Sequence, residues 1–189
     1  MPHRCPEWLS PFLDNRIRSW LMSPEKTLAP YVAEGATAAD VGCGPGFFVK
    51  ALARLVGRDG RVLAVDVQQC MLDRVRRKLD GSGLAGRVVL HRCGEETLSL
   101  PFPVDFALLV WSLHEMPAPG RVLAQLRGSL NAGGRILVVE PLGHVNRREF
   151  EDILALARTQ GMLAVESPRV WGSRAVLLAL AEDAEGRRG

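Results

Sequence analysis

The chain has 189 residues, 47% hydrophobic and 24% charged, with a net charge of +3. That length suits one compact domain, and the composition is that of a globular chain, not a disordered one. The weak basic excess and few aromatics argue against a nucleic-acid partner, and no apolar run reaches the length of a membrane span.

The first ten residues, MPHRCPEWLS, contain no signal-peptide core, so a cytoplasmic location is the expectation. Ser10-Pro11 and Ser23-Pro24-Glu25 each read as an N-cap followed by proline at the first helical position. Leu9, Phe12, Leu13, Ile17, Trp20 and Leu21 share one helical face. Residues 1–35 are therefore expected to form a helical cap over the domain that follows, with Trp8, Phe12 and Trp20 as candidate walls for a substrate. Cys5, Cys43, Cys70 and Cys93 form no CxxC pair and read as free thiols, with no metal site expected.

From residue 36 two periods alternate. Short β-rich runs occupy 36–43, 61–67, 87–93, 105–111 and 135–141. Between them lie helical stripes: Phe47, Phe48, Ala51, Leu52 and Leu55, then Met71, Leu72, Val75 and Leu79, then Leu123, Leu126 and Leu130. Asn131 and Gly133-Gly134 supply a stop for the third. This alternation predicts an α/β domain, a mostly parallel sheet with helices on both faces. A helix over roughly 147–160 precedes the runs MLAVESPRVW and SRAVLLALA, which only the short WGSR separates. The last of seven strands must then return antiparallel. The domain is expected to span 36–182, with 183–189 a polar tail.

Chemistry concentrates in "ADVGCGPGFF", where Gly42, Gly44 and Gly46 alternate after the first strand. A G-x-G-x-x-G dinucleotide fingerprint would need glycine at position 47, which is Phe47, and no P-loop lysine follows. Asp66 ends the second strand, where a carboxylate accepts hydrogen bonds from ribose hydroxyls. Asp40 offers an acceptor for an ammonium group. Together they suit an adenosine bearing an amino-acid tail without phosphates.

These residues resemble a known family. "DVGCGPGFF", "VDVQQCML", "RCGEETLSLPFPVDFALLVWSLHEM" and "LNAGGRILVVEP" are similar, in order, to the motifs of class I S-adenosylmethionine-dependent methyltransferases, of the small type related to the ubiquinone/menaquinone-biosynthesis enzymes. The resemblance implies a Rossmann-like fold and S-adenosyl-L-methionine as cofactor, with S-adenosyl-L-homocysteine as product. It implies that Gly42, Cys43, Gly44, Gly46 and Phe47 line the methionine part, with Asp40 nearby. Asp66 would hold the ribose, while Val67, Gln68 and Met71 flank the sugar and adenine. Cys93, Gly94 and Glu95 would follow the adenine edge, and the carbonyl of Trp111 would face the methionine amino group. Gln68 stands where Ser or Thr is more usual, and Cys93-Gly94-Glu95 replaces the customary Gly-Asp.

Methyl transfer from a sulfonium is an in-line displacement, so orientation matters more than a catalytic triad. His114 and Glu140 fall at carboxyl ends of strands and are the candidate catalytic residues; His144 is a further substrate candidate. The expected acceptor is a small molecule, with no nucleic-acid or membrane partner. A thiol or metalloid acceptor near Cys5, and a cofactor-binding subunit or sensor without turnover, are the alternatives.

Overall fold

The structure, a computed structural model, describes residues 23–185. Cys5, Trp8, Phe12, Trp20 and most of the expected cap lie outside the described residues. Of residues 1–35 the described helix is α1 (Pro24–Leu28); Pro24 stands at its first position, after Ser23 in extended backbone. The Ser23 side chain makes no cap; its carbonyl instead accepts from the Thr27 N–H and hydroxyl, both at 3.0 Å.

The chain continues through β1 (Thr37–Val41), α2 (Val49–Leu55), β2 (Arg61–Asp66), α3 (Gln69–Leu79), β3 (Val88–Arg92) and β4 (Val104–Val110). It then forms α4 (Pro119–Ser129), β5 (Leu130–Pro141), α5 (Arg147–Thr159), β6 (Met162–Glu166), β7 (Ser173–Leu180) and α6 (Ala181–Glu185). The seven strands form one sheet in the order β3-β2-β1-β4-β5-β7-β6. All neighbours through β5 pair in parallel, and β7 pairs antiparallel with both β5 and β6. The expected Rossmann-like sheet with its reversed last strand is the observed fold.

Alternation along each strand divides the core. Val62, Ala64, Phe106 and Leu108 face one side with Leu52 of α2 and Val75 of α3. Leu63, Val65, Ala107 and Leu109 face the other with Leu123 of α4 and Ile153 of α5. The central strands are thus buried on both faces, which explains their nearly unbroken apolarity. Each fully buried Leu or Val contributes roughly 1.5–3 kcal/mol relative to exposure.

Two boundaries differ from the sequence expectation. Leu130 does not extend the third helix: α4 ends at Ser129, and Leu130 opens β5 opposite Val104. The next paired residues are Phe106 and Arg135, so residues 131–134 bulge from the ladder. The bulge is tied down by Asn131, whose amide donates to Asp105 Oδ1 at 2.7 Å. The β6–β7 connection is residues 167–172 rather than WGSR alone. The turn after α1 is fastened to the sheet edge by the Tyr31 hydroxyl, which donates to Glu166 at 2.7 Å. Burial and that carboxylate push the phenol up to about 12. Among the described residues no helix is long and apolar enough to cross a membrane.

Candidate functional site

β1 has β2 on one side and β4 on the other, so the direction of strand progression reverses there. Sheets of this kind open a crevice at the carboxyl ends flanking that point. A cleft of about 200 Å³ lies at that place, lined by the turn after β1, the end of β2, the turn after β3 and residues 110–112 and 115–117.

The turn after β1 is built on three glycines, all in the left-handed region, with φ +72° at Gly42, +50° at Gly44 and +80° at Gly46. Their surroundings differ. A Cβ on Gly42 would lie 2.6 Å from Ser112 Cβ, and one on Gly46 would lie 2.9 Å from Val75 Cγ2. Close approach of β4's end and of α3 demands those two. A Cβ on Gly44 would meet nothing within 4 Å. Its open face is the one a ligand can approach.

Asp66 locks this turn to β2. Its Oδ2 accepts the Gly44 N–H at 2.8 Å, and its Oδ1 accepts the Gln68 N–H at 2.9 Å. Burial raises the Asp66 carboxyl above its ordinary value, and the N–H groups of Gln68, Gly44 and Val67 oppose that rise. Backbone donors reach both carboxylate oxygens, and the group retains acceptor capacity for a hydroxyl. Asp40, Cys43, Phe47, Val67, Gln68, Met71, Cys93, Gly94, Glu95 and Trp111 line the same cleft with Gly42 and Gly44. Gly46 stands behind the turn against α3 and does not line it.

Two cysteines of the cleft are held as thiols. Burial, with Asp40 and Asp66 nearby, pushes Cys43 well above its ordinary range. Burial and Asp66 push Cys93 up to about 11. Neither carries a nucleophilic thiolate at neutral pH.

Beyond the cleft's glycine side, Trp111 directly follows β4 with φ +56°, a strained conformation for a bulky side chain. Its N–H donates to Val139 O at 2.8 Å, and its indole N–H donates to Ser173 Oγ at 3.0 Å. This reversal starts the short 3-10 turn Leu113–Glu115. His114 Nδ1 lies 2.5 Å from Glu140 Oε2, and the His114 N–H donates to Glu140 Oε1 at 3.2 Å. Glu140 is wholly buried. Its hydrogen bond, working against burial, raises the His114 imidazole above its ordinary 6.5. His144 packs edge-on to His114, ring centroids 6.0 Å apart.

The structure thus brings His114, Glu140 and His144 together, but none of the three lines the cleft. Within this turn the acidic side chain that does is Glu115, which sequence reasoning passed over. It stands 4.0 Å from His114 Nε2, and burial raises its carboxyl. Its only sequence signal was adjacency to His114, since a 3-10 turn has no amphipathic pattern to show which neighbour faces inward.

The donor set fits S-adenosylmethionine, the cofactor the resemblance implies. Asp40, Asp66, Glu95 and Glu115 line the cleft, and among the described residues no Lys or Arg does. Such a wall suits a sulfonium, an ammonium and ribose hydroxyls, and disfavours phosphates.

A family described as "Methyltransferase domain" matches residues 38–134. The ubiquinone/menaquinone biosynthesis C-methyltransferase UbiE of Saccharophagus degradans is 32% identical over 112 residues, 58% of this chain and 44% of that protein. The chain thus spans less than half the length of the curated relatives it matches. A SAM dependent methyltransferase from Aquifex aeolicus superposes with a TM-score of 0.81 at 25% identity, covering 93% of this chain and 98% of that one. An O-methyltransferase of neocarzinostatin biosynthesis, solved with S-adenosylmethionine and a hydroxynaphthoic acid, shares the fold at 17% identity and a TM-score of 0.73, covering 91% of this chain and 56% of its own.

Proposed function

The chain belongs to the methyltransferase-domain family, with the class I fold and an S-adenosylmethionine cleft, and on that premise we propose that it methylates a small-molecule acceptor. The observation that carries this reading is Asp66, whose carboxylate is fixed against the Gly44 turn within an acidic cleft. Asp66 would hold the ribose hydroxyls, the glycine turn would line the methionine part, and Asp40 with the Trp111 carbonyl would receive the ammonium. Val67, Gln68 and Met71 flank the sugar and adenine, and Cys93, Gly94 and Glu95 follow the adenine edge.

When bound, S-adenosylmethionine supplies a methyl group already activated on sulfur. The chain's task is to orient an acceptor, exclude water and take up a proton when the acceptor carries one. That role falls to His114, which does not itself line the cleft but stands 4.0 Å from Glu115, which does. Its Nδ1–H donates to Glu140, which leaves Nε2 as the acceptor in the neutral ring. Glu140 holds the tautomer and direction of the ring and raises its basicity.

Two measurements test the reading. Calorimetric titration should show binding of S-adenosylmethionine and none of NADH. Incubation with cofactor bearing a trideuteromethyl group and fractionated cell extract should place label in a small-molecule fraction. Label confined to protein or RNA would overturn the acceptor class, and cofactor binding without any transfer would favour a non-catalytic subunit.

A further inference from the structure

The segment after β3 belongs to neither strand nor helix, yet it forms one wall of the cleft. Cys93, Gly94, Glu95 and Leu98 line that wall, while residues 94–97 are exposed. The Gly94 N–H donates to Thr97 O at 2.9 Å and closes a turn. Two side chains then hold the turn in place. Gln125 of α4 accepts the Leu98 N–H through Oε1 at 2.8 Å and donates through Nε2 to Glu96 O at 2.8 Å. Those two backbone groups flank Thr97, which is the spacing at which a neighbouring strand would bond. The Gln125 amide stands in for that strand. From β3, the His91 Nε2–H donates to Leu98 O at 2.8 Å, since a carbonyl can only accept. Leu98 is thus held at both its N–H and its C=O, and its side chain is 3% exposed. The ion pair of Arg121 with the Glu96 side chain is exposed on both partners and adds little.

Resting on the methyltransferase reading above, we propose that Gln125 is a positioning residue for the adenine end of the cofactor: its amide fixes where the turn at residues 94–98 stands, and through that turn the affinity for S-adenosylmethionine. Gln125 is half-buried and does not line the cleft, so it acts through the turn and not by touching the ligand. Val122, one helical turn before it, does line the cleft, so α4 supplies both part of the wall and the tie. Hydrogen bonds to a purine edge weaken steeply with misplacement. A turn with exposed backbone and no ladder of its own opens easily unless it is tied. Affinity falls in proportion to the fraction of molecules in which the turn is in place. Tying the turn beforehand therefore spares the ligand the cost of ordering it.

Calorimetry with S-adenosylhomocysteine tests this. Gln125→Leu removes both bonds and should weaken binding about tenfold. Gln125→Glu keeps an acceptor for the Leu98 N–H but offers Glu96 O no hydrogen, so its loss should be intermediate. 5′-Methylthioadenosine keeps the nucleoside and lacks the amino acid, and it should lose the same factor as S-adenosylhomocysteine. Amide hydrogen exchange in ligand-free Gln125→Leu should quicken at residues 94–98 and stay unchanged in β1 and the glycine turn. With the trideuteromethyl cofactor and the cell-extract fraction that takes up label, KM for S-adenosylmethionine should rise about tenfold while kcat stays within about twofold.

Unchanged affinity in Gln125→Leu would overturn the inference and leave the methyltransferase reading standing. So would a loss seen with S-adenosylhomocysteine and absent with 5′-methylthioadenosine, because the effect would then lie at the methionine end. A lower kcat with KM unmoved would place the effect on the acceptor and overturn it as well. If Gln125→Leu does not fold, Gln125→Glu carries the test, and affinity equal to that of the unaltered protein is the adverse result. No binding of S-adenosylhomocysteine by the unaltered protein would overturn the reading and the inference together.

Discussion

At the scale of single residues, the glycine turn separates stability from ligand binding. Gly44→Ala adds a Cβ that meets no protein atom within 4 Å, so its cost to the fold is backbone strain of about 1–2 kcal/mol. The new methyl group would occupy the open face of the cleft, and cofactor affinity should fall by more than stability does. Gly46→Ala should behave in the opposite way. Its Cβ would come within 2.9 Å of Val75 Cγ2, and a β-branched valine in a helix has one strongly preferred rotamer, so it yields only at a cost. Chemical denaturation paired with calorimetry on both variants checks the contrast. Asp66→Ala should weaken S-adenosylmethionine by about 1–3 kcal/mol, since it removes the ribose acceptor and the anchor of the Gly44 N–H together. Unchanged affinity would place the ribose elsewhere. Asp66 and the glycines were legible in the sequence because they follow strand ends at recognisable spacing. Glu115 was not, because whether position 114 or 115 faces the cleft depends on the turn that Trp111 starts with its φ of +56°.

At the scale of elements, the site is a product of strand register. β4 and β5 run parallel with Val110 opposite Val139, so the turn after β4 is delivered beside Glu140 at the end of β5. That juxtaposition makes a pH prediction. The groups facing His114 are Glu140 from β5, Glu115 on its own turn, His144 from the loop after β5 and Glu149 from α5. The Glu140 hydrogen bond is the largest influence, and it raises the imidazole above 6.5. A protonated imidazole cannot accept a proton, so activity should rise with pH through a value above 6.5 and level off beyond it. In Glu140→Gln the main raising interaction is gone. The rising limb should therefore move to lower pH while the plateau drops, the ring having lost its fixed tautomer. A pH–rate profile of both proteins with one acceptor checks this, because the acceptor's own ionisation is common to the two. An unmoved limb with a lower plateau would mean that Glu140 is only structural. Strand ends were readable from apolar runs, yet the pairing of His114 with Glu140 was not. It depends on register, and the bulge at residues 131–134 resets that register in a way no local pattern announces.

At the scale of the whole molecule, cleft and fold share their supports. The turn after β1 bonds to β2 through Val65 O, which accepts from the N–H groups of Gly42 and Cys43 at 2.9 Å each. It also packs against Ser112 after β4 and Val75 in α3. A ligand held by Asp66 and this turn therefore braces elements on both sides of the strand-order reversal. Any ligand that binds only the folded state stabilises it by mass action, by about 2.7 kcal/mol at one hundred times its dissociation constant. For a chain of this size that corresponds to a rise in Tm of about 5–10 °C. S-adenosylhomocysteine should produce such a rise in a thermal melt, and NADH at equal concentration should produce none. The increment should shrink in Asp66→Ala and in Gly44→Ala, but persist in Glu140→Gln, whose altered residue lies outside the cleft. A rise lost in Glu140→Gln as well would mean that the His114–Glu140 pair supports cofactor binding, and its place would then be in holding the cleft rather than in handling the acceptor's proton.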